Sequence, residues 1–217
     1  MSKSKLTDLD YFFTNFKSLH FRKGEIILRA GDPIPGVYFL KRGYVRLFTI
    51  SPQGEELTLI IFKKGDIFPI SWAIGGISGA KQNTYYLEAL TVCELKRSSK
   101  PAFNSFLRAN EAALFDLTVR LSERLNGVLI RAESLVFGDA GSRVASILLI
   151  CAERFGRKTQ YGLEIQIPLT HKDISTLIGV ARETASIEIK KLKNRGIIAY
   201  RGRILIIKNP NGLRRSI

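Results

Sequence analysis

The residues best suited to chemistry lie near the C-terminus, and the chemistry they suit is recognition of a polyanion rather than the making of bonds. Thr170-His171-Lys172-Asp173 has the S/T-x-x-D/E form of a helix start, in which the first hydroxyl and the last carboxylate satisfy each other's backbone amides. The short helix it opens carries Ile174, Leu177 and Ile178 as apolar residues and ends at Gly179. A second helix is expected over 182–194, with Ala185, Ile189 and Leu192 as its buried face and Lys190, Lys191, Lys193 and Arg195 outside it. Two helices joined by a tight glycine turn, the second strongly basic, describe a helix-turn-helix whose second helix can enter a major groove. Two apolar runs, 196–200 and 204–207, flank Arg201-Gly202-Arg203, a hairpin with a basic tip suited to rest on phosphates.

Charge supports the same chemistry. The formal net charge is +15, and residues 140–217 hold 15 Lys and Arg against 5 Asp and Glu, whereas residues 1–139 hold 19 against 14. Concentrated positive charge is the footprint of a module that neutralises phosphates and releases their counterions. Double-stranded DNA is the partner this implies; a solvated basic surface or an anionic lipid surface would share the charge but not the helix pair.

Other chemistries are poorly served. No Ser/His/Asp grouping or paired carboxylates stand out, and two histidines leave little for acid-base work, so no enzyme is expected. The run 75–81 is rich in glycine but lacks the Gly-Lys-Ser/Thr ending of a phosphate loop. Cys93 and Cys151 lie far apart in apolar segments, which excludes a disulfide framework or thiolate cluster within one chain and reads both as small buried hydrophobes. His20 and His171 give no pair for haem, so no metal and no cofactor are expected. Residues 1–16 lack the apolar run of a secretory signal and no stretch reaches the ~18 apolar residues of a membrane span, which predicts a cytoplasmic protein with no membrane partner.

The elements that must position the basic module change character along the chain. From Leu19 to Leu95, short β-rich runs are punctuated by glycines at 24, 31, 36, 43, 54 and 65, the rhythm of an antiparallel sandwich or barrel. From about Pro101 to Val136 a single long helix is expected. Along it Leu114, Leu121, Val128 and Leu135 recur every seven residues beside Thr118, Leu125 and Ala132, a two-position seam for a homodimer; the alternative is a helix packed on its own sheet. Gly127 interrupts that helix at a cost of about 1 kcal/mol relative to Ala, which suggests close approach or bending. Phe137-Gly138-Asp139-Ala140-Gly141 is the expected hinge, followed by an amphipathic helix over 143–154.

At this point the residues resemble a known family. The order Asp173-Ile174, Gly179, Arg182-Glu183-Thr184, Leu192 and Gly196-Ile197-Ile198 resembles the helix-turn-helix of the Crp/Fnr family of bacterial regulators. Lys23-Gly24-Glu25, Ala30-Gly31-Asp32, Lys41-Arg42-Gly43-Tyr44-Val45 and Lys64-Gly65-Asp66-Ile67-Phe68 are similar to that family's β-roll, so the resemblance covers residues 19 to about 208. It implies an α+β fold: an N-terminal antiparallel, jelly-roll-like β-roll sensor domain over 1–110, a dimerisation helix over 111–137, and a C-terminal winged helix-turn-helix over 138–217. Two copies would then read a pseudo-palindromic site with half-sites about one helical turn (~34 Å) apart.

The resemblance further implies that Arg182, Glu183 and Ser186 face base edges. Arginine can fork onto guanine O6 and N7, and a glutamate accepts from the cytosine amino group. Ile187 stands where many relatives carry a second arginine; it either meets a thymine methyl or packs inward. Thr184 and Lys190 on the second helix, Thr170, His171 and Lys172 at the start of the first, and Arg201 and Arg203 of the hairpin complete the implied contacts, His171 toward a phosphate. Ala181 departs from the usual Ser or Thr cap, a loss worth about 1 kcal/mol. A loop similar to 157–162 touches RNA polymerase in some relatives, which makes the polymerase an implied partner.

Relatives that bind cyclic AMP carry a glycine-glutamate pair after the Gly-Asp turn and an arginine-serine pair before the next strand. Here Pro69-Ile70 and Asn83-Thr84 stand there, so the carboxylate for the ribose and the guanidinium for the cyclic phosphate are both missing. Burying that phosphate unpaired would be prohibitive, and cyclic AMP is not expected to bind. Val128 and Leu129 replace the hydroxyl residues that meet the purine in the cyclic-AMP binders. Together with Ile70, Ser71, Trp72, Asn83, Thr84 and Tyr85, they either line an apolar pocket for a hydrophobic small-molecule effector or fill the old site as core. Two other readings stay open: an architectural nucleic-acid binder indifferent to sequence, and a ligand-binding signalling protein acting through protein partners.

Overall fold

The computed structural model describes residues 7–75 and 83–217; the glycine-rich run 75–81 lies, apart from Gly75, outside the described residues. Among the described residues, helix α1 (Asp8–Thr14) is followed by eight strands: β1 (Ser18–Phe21), β2 (Ile26–Leu28), β3 (Val37–Arg42), β4 (Val45–Ile50), β5 (Glu56–Phe62), β6 (Ile67–Phe68), β7 (Tyr86–Ala89) and β8 (Cys93–Ser98), with the short helix α2 (Ile70–Ile74) between β6 and β7. They form two four-stranded sheets, in the orders β1-β8-β3-β6 and β2-β7-β4-β5. The paired strands run antiparallel.

Strand β3 shows why this region reads as β without clean alternation. Tyr38 and Leu40 join Leu28, Val45, Phe62, Phe68, Leu87 and Leu95, drawn from both sheets, in one core. Val37 and Phe39 point the other way, into a second core with Leu9 and Phe13 of α1, Ile70 and Ala73 of α2, and residues of the two helices that follow. Val37 to Leu40, buried on both faces, form an uninterrupted run without charge, and β3 turns polar only at the exposed Lys41 and Arg42. Phe13 stacks on Phe39 with ring centroids 5.1 Å apart, and fully burying a side chain of this size contributes about 1.5–3 kcal/mol.

Gly43, in the turn between β3 and β4, has φ +95°, and a Cβ there would sit 2.5 Å from the Val92 carbonyl oxygen and 2.7 Å from Cys93 Sγ. Gly43→Ala combines left-handed strain with a backbone clash and is expected to cost about 2–3 kcal/mol, read as a lowered chemical-denaturation midpoint.

The helical stretch departs from the single helix expected from Pro101 onward. It is broken into α3 (Lys100–Ala109) and α4 (Glu111–Phe137), and Asn110 between them is extended, with φ −138° and ψ 92°. Its side-chain oxygen accepts from the Ala113 amide at 2.9 Å. Asparagine satisfies a helix start better than it tolerates a helix interior, and here that preference sets where α4 begins.

The remaining elements are α5 (Ala140–Phe155), β9 (Gly156–Thr159), β10 (Gly162–Ile165), α6 (His171–Ile178), α7 (Arg182–Asn194), β11 (Ile198–Arg201), β12 (Ile204–Ile207) and α8 (Pro210–Arg214). A third sheet has the order β11-β12-β10-β9. The fold is thus α+β: an antiparallel β-roll, a long helix, and a winged helix-turn-helix. It divides into two compact units, residues 1–49 with 59–123, and residues 50–58 with 124–217, so that α4 contributes to both. Among the described residues no helix is long and apolar enough to cross a membrane.

Candidate nucleic-acid interface

Helix α5 is the scaffold of the C-terminal module. Asp139 caps it, its carboxylate accepting from the Ser142 amide at 2.8 Å, a bond that also holds that carboxyl below the usual carboxylate range. Val144, Leu148 and Cys151 are among its buried residues. Burial pushes the Cys151 thiol up to about 12 and raises Cys93 as well, which makes both inert apolar fillers.

The start of α6 is a capping box in both directions: Thr170 Oγ1 accepts from the Asp173 amide at 3.1 Å, and Asp173 Oδ2 accepts from the Thr170 amide at 2.7 Å. Gly179 ends the helix in the left-handed region, φ 65° and ψ 43°, where glycine carries no Cβ penalty. Arg131 of α4 supports that end, its Nε donating to the Leu177 carbonyl at 2.9 Å. Desolvation pulls this guanidinium down to about 10, still a cation at neutral pH and well placed at a helix C-terminus. Nothing in the sequence pattern singles out Arg131, because the contact joins residues 46 positions apart.

Helix α7 buries one face and exposes the other. Ala185, Ile189 and Leu192 are buried, while Arg182, Glu183, Ile187 and Lys190 are exposed and Thr184 is half-buried. Ile187 is 55% exposed, so it does not pack inward. Ala181 provides no side-chain cap. Ser186 differs from its expected base-facing role: its hydroxyl donates to the Arg182 carbonyl at 2.8 Å and also lies 2.9 Å from His171 Nδ1.

In the hairpin, Gly202 (φ 61°) makes the turn and Arg203 is exposed at the tip. Arg201 is otherwise engaged. It donates to Glu164 Oε1 at 2.7 Å and lies over the Tyr161 ring at 4.8 Å, while Arg157 reaches the other oxygen of Glu164 at 3.4 Å. Glu164 is fully buried. Arg201→Ala would leave that carboxylate with weak partners and is expected to lower stability by about 2–3 kcal/mol. Arg203→Ala should leave the melting temperature unchanged, and comparing the two melts checks this division of roles.

On α4, Leu114, Thr118, Leu125, Val128 and Ala132 of the seven-residue repeat are exposed. Leu121 and Leu135 are half-buried, Leu121 against the helix-side core of the first unit. Phe115, Leu129, Val136 and Phe137 widen the exposed apolar face. Among the described residues a Cβ at Gly127 would meet nothing within 4 Å, so no close approach by them explains that glycine.

Within the first unit, the candidate effector residues Ile70, Ser71, Trp72, Asn83, Thr84 and Tyr85 do not form one lining. Ile70 and Trp72 belong to the helix-side core, and Lys100 donates to the Trp72 carbonyl at 2.7 Å with its ammonium 4.8 Å from the Trp72 ring centroid. Asn83 is spent on the backbone, donating to the Arg29 carbonyl at 2.9 Å and accepting from the Tyr85 amide at 3.2 Å. Ser71, Thr84 and Tyr85 are exposed, and Val128 and Leu129 belong to the second unit. Helix α2 turns Ile70 and Ala73 into the core it shares with α1 and α3.

Comparison with known proteins places both halves of the chain. Residues 18–110 match the model of the cyclic nucleotide-binding domain, and residues 142–216 match that of the Crp-like helix-turn-helix domain. A "Global nitrogen regulator" of Nostoc sp. is 28% identical over 197 residues, 90% of this chain and 87% of that protein. The "cAMP-activated global transcriptional regulator CRP" of Haemophilus influenzae is 24% identical over 199 residues, 92% and 87% of the two chains. Among solved structures, FixK2 from Bradyrhizobium japonicum shares the fold with a TM-score of 0.77 at 20% identity, covering 93% of this chain and 96% of that one. A mutant CooA from Carboxydothermus hydrogenoformans does so with a TM-score of 0.76 at 23% identity, covering 97% of each.

Proposed function

Since the chain belongs to the Crp/Fnr family of DNA-binding transcription regulators, we propose that it binds a pseudo-palindromic operator as a homodimer and needs no cyclic AMP to do so. The observation that carries this reading is the face of α7, where Arg182, Glu183, Ile187 and Lys190 are exposed opposite a buried apolar ridge. Arg182 supplies the fork for guanine and Glu183 the acceptor for cytosine, and Ile187 offers a methyl-sized surface to thymine. Thr170, Lys172 and Arg203 would meet the backbone and fix the register.

The exposed apolar face of α4 supports dimerisation, since an uncovered stripe of Leu, Val and Phe along a long helix marks an interaction surface that a second such helix can bury. Independence from cyclic AMP is supported by the missing carboxylate and guanidinium and by Asn83, whose amide already serves the backbone. With Ile70 and Trp72 committed to core, the filled site is the better reading and no effector is required. Arg157 and Lys158 remain the residues through which RNA polymerase would be touched, and unchanged transcription after replacing both would dismiss that contact. Work on DNA implies the cytoplasm as the compartment.

Salt titration tests the reading. Binding to a duplex should weaken linearly on a log-log plot, and Arg203→Ala should reduce the slope by about one per protomer with little change in sequence preference. A slope near zero would reject a DNA-binding role. A steep slope with no preference among sequences would favour the architectural alternative.

A further inference from the structure

The contact between His171 and Ser186 is left over by the base-reading account. Ser186 Oγ donates its single proton to the Arg182 carbonyl, which can only accept. Toward His171 Nδ1, 2.9 Å away, the same oxygen must therefore accept, and Nδ1 must carry a hydrogen. The neutral ring is then the Nδ1–H tautomer with a bare Nε2. Among the described residues Nε2 has no partner, and the side chain is half-buried at the first position of α6. A bare Nε2 meets a phosphate oxygen lone pair to lone pair, whereas a protonated Nε2 makes a charge-assisted hydrogen bond to it.

We propose that His171 grips a DNA phosphate through Nε2 only as the imidazolium, with Ser186 as the positioning residue that fixes its tautomer, so that DNA binding takes up a proton. The proposal rests on the reading of α6 and α7 as the DNA-binding pair. The surroundings leave the counter-charge to the DNA. On α6 the neighbours are Lys172 and Asp173, whose carboxylate is held by Thr170. Helix α7 carries Arg182, Glu183, Glu188, Lys190, Lys191 and Lys193, the Glu188 carboxylate held by Lys191, and α5, which packs on α6, carries Arg143, Glu153 and Arg154. From the wing, the Tyr200 ring lies 6.3 Å from the imidazole, and its phenol, pushed up to about 12 by burial, is neutral. Arg201 beside it is paired with Glu164. No carboxylate bonds to the His171 ring among the described residues, so the phosphate is the anion available to it.

The test uses the full-length protein and a mixed-sequence duplex long enough for two adjacent major grooves, titrated from pH 6 to 8 at fixed ionic strength. Affinity should fall as pH rises, by up to about tenfold per pH unit for each protomer engaged, and binding enthalpies in buffers of different ionisation heat should report proton uptake. His171→Gln should flatten the profile. Ser186→Ala should flatten it too, because release of Nδ1 lets the neutral ring present Nε2–H. His20→Gln, altering the other of the chain's two histidines, should leave the slope intact. A flat wild-type profile, or an undiminished slope in His171→Gln, overturns the proposal while DNA binding stands. Failure to retain the duplex at any pH overturns the DNA-binding reading and the proposal with it.

Discussion

Alanine at position 182 is expected to abolish the guanine preference in each half-site and to weaken binding to the preferred operator by between about thirtyfold and about ten-thousandfold. A bidentate arginine-guanine pair is worth about 1–3 kcal/mol of discrimination, and a two-fold symmetric complex contains two of them. The folded state should be untouched, because Arg182 is exposed and makes no ion pair among the described residues. Arg182→Lys sharpens the comparison: it keeps the charge but loses the planar fork, so it should retain the salt dependence and lose the base preference. Titrations against duplexes varied at single base pairs check both variants. A loss that is uniform across sequences would assign Arg182 to phosphate instead.

Leu125→Glu is expected to convert the proposed dimer into monomers and to lower operator affinity by about 10²–10⁴, the advantage that two linked modules hold over one. Leu125 is 58% exposed in the protomer, so the new carboxylate costs little within one chain and becomes expensive where two α4 helices meet. Sedimentation equilibrium with and without duplex measures the first effect, and the binding titration the second. An unchanged dimer would move the interface away from this face.

What was legible in the sequence was local. The capping box from Thr170 to Asp173, the left-handed Gly179 and the ridge of Ala185, Ile189 and Leu192 are separated by a few residues each, and short-range sterics and hydrogen bonds decide them. Ile187 could have been settled the same way. It lies two residues from Ala185 and Ile189, about 200° round the helix from each, and so faces away from their ridge. The division of the helical stretch at Asn110 is invisible to the apolar spacing, which runs through the break; the resemblance, which starts the dimerisation helix at 111, and the asparagine's cap preference mark it.

The remaining departures are long-range. Arg201 looks like a second phosphate contact until the sheet order β11-β12-β10 brings it to Glu164, 37 residues away. Ser186 looks like a base reader until α6 returns His171 to it from 15 residues upstream. The candidate effector residues rest on position relative to a resembling family, and position does not say into which of two cores α2 turns Ile70 and Trp72.

The central claim, a dimeric protein that reads sequence without a ligand, is tested most directly by selection from a randomised duplex pool at ~0.15 M salt with no effector added, followed by sequencing of the retained DNA. Enrichment of a two-fold symmetric site with half-sites about one helical turn apart is the predicted result. Retention of duplex without enrichment of any site would contradict it.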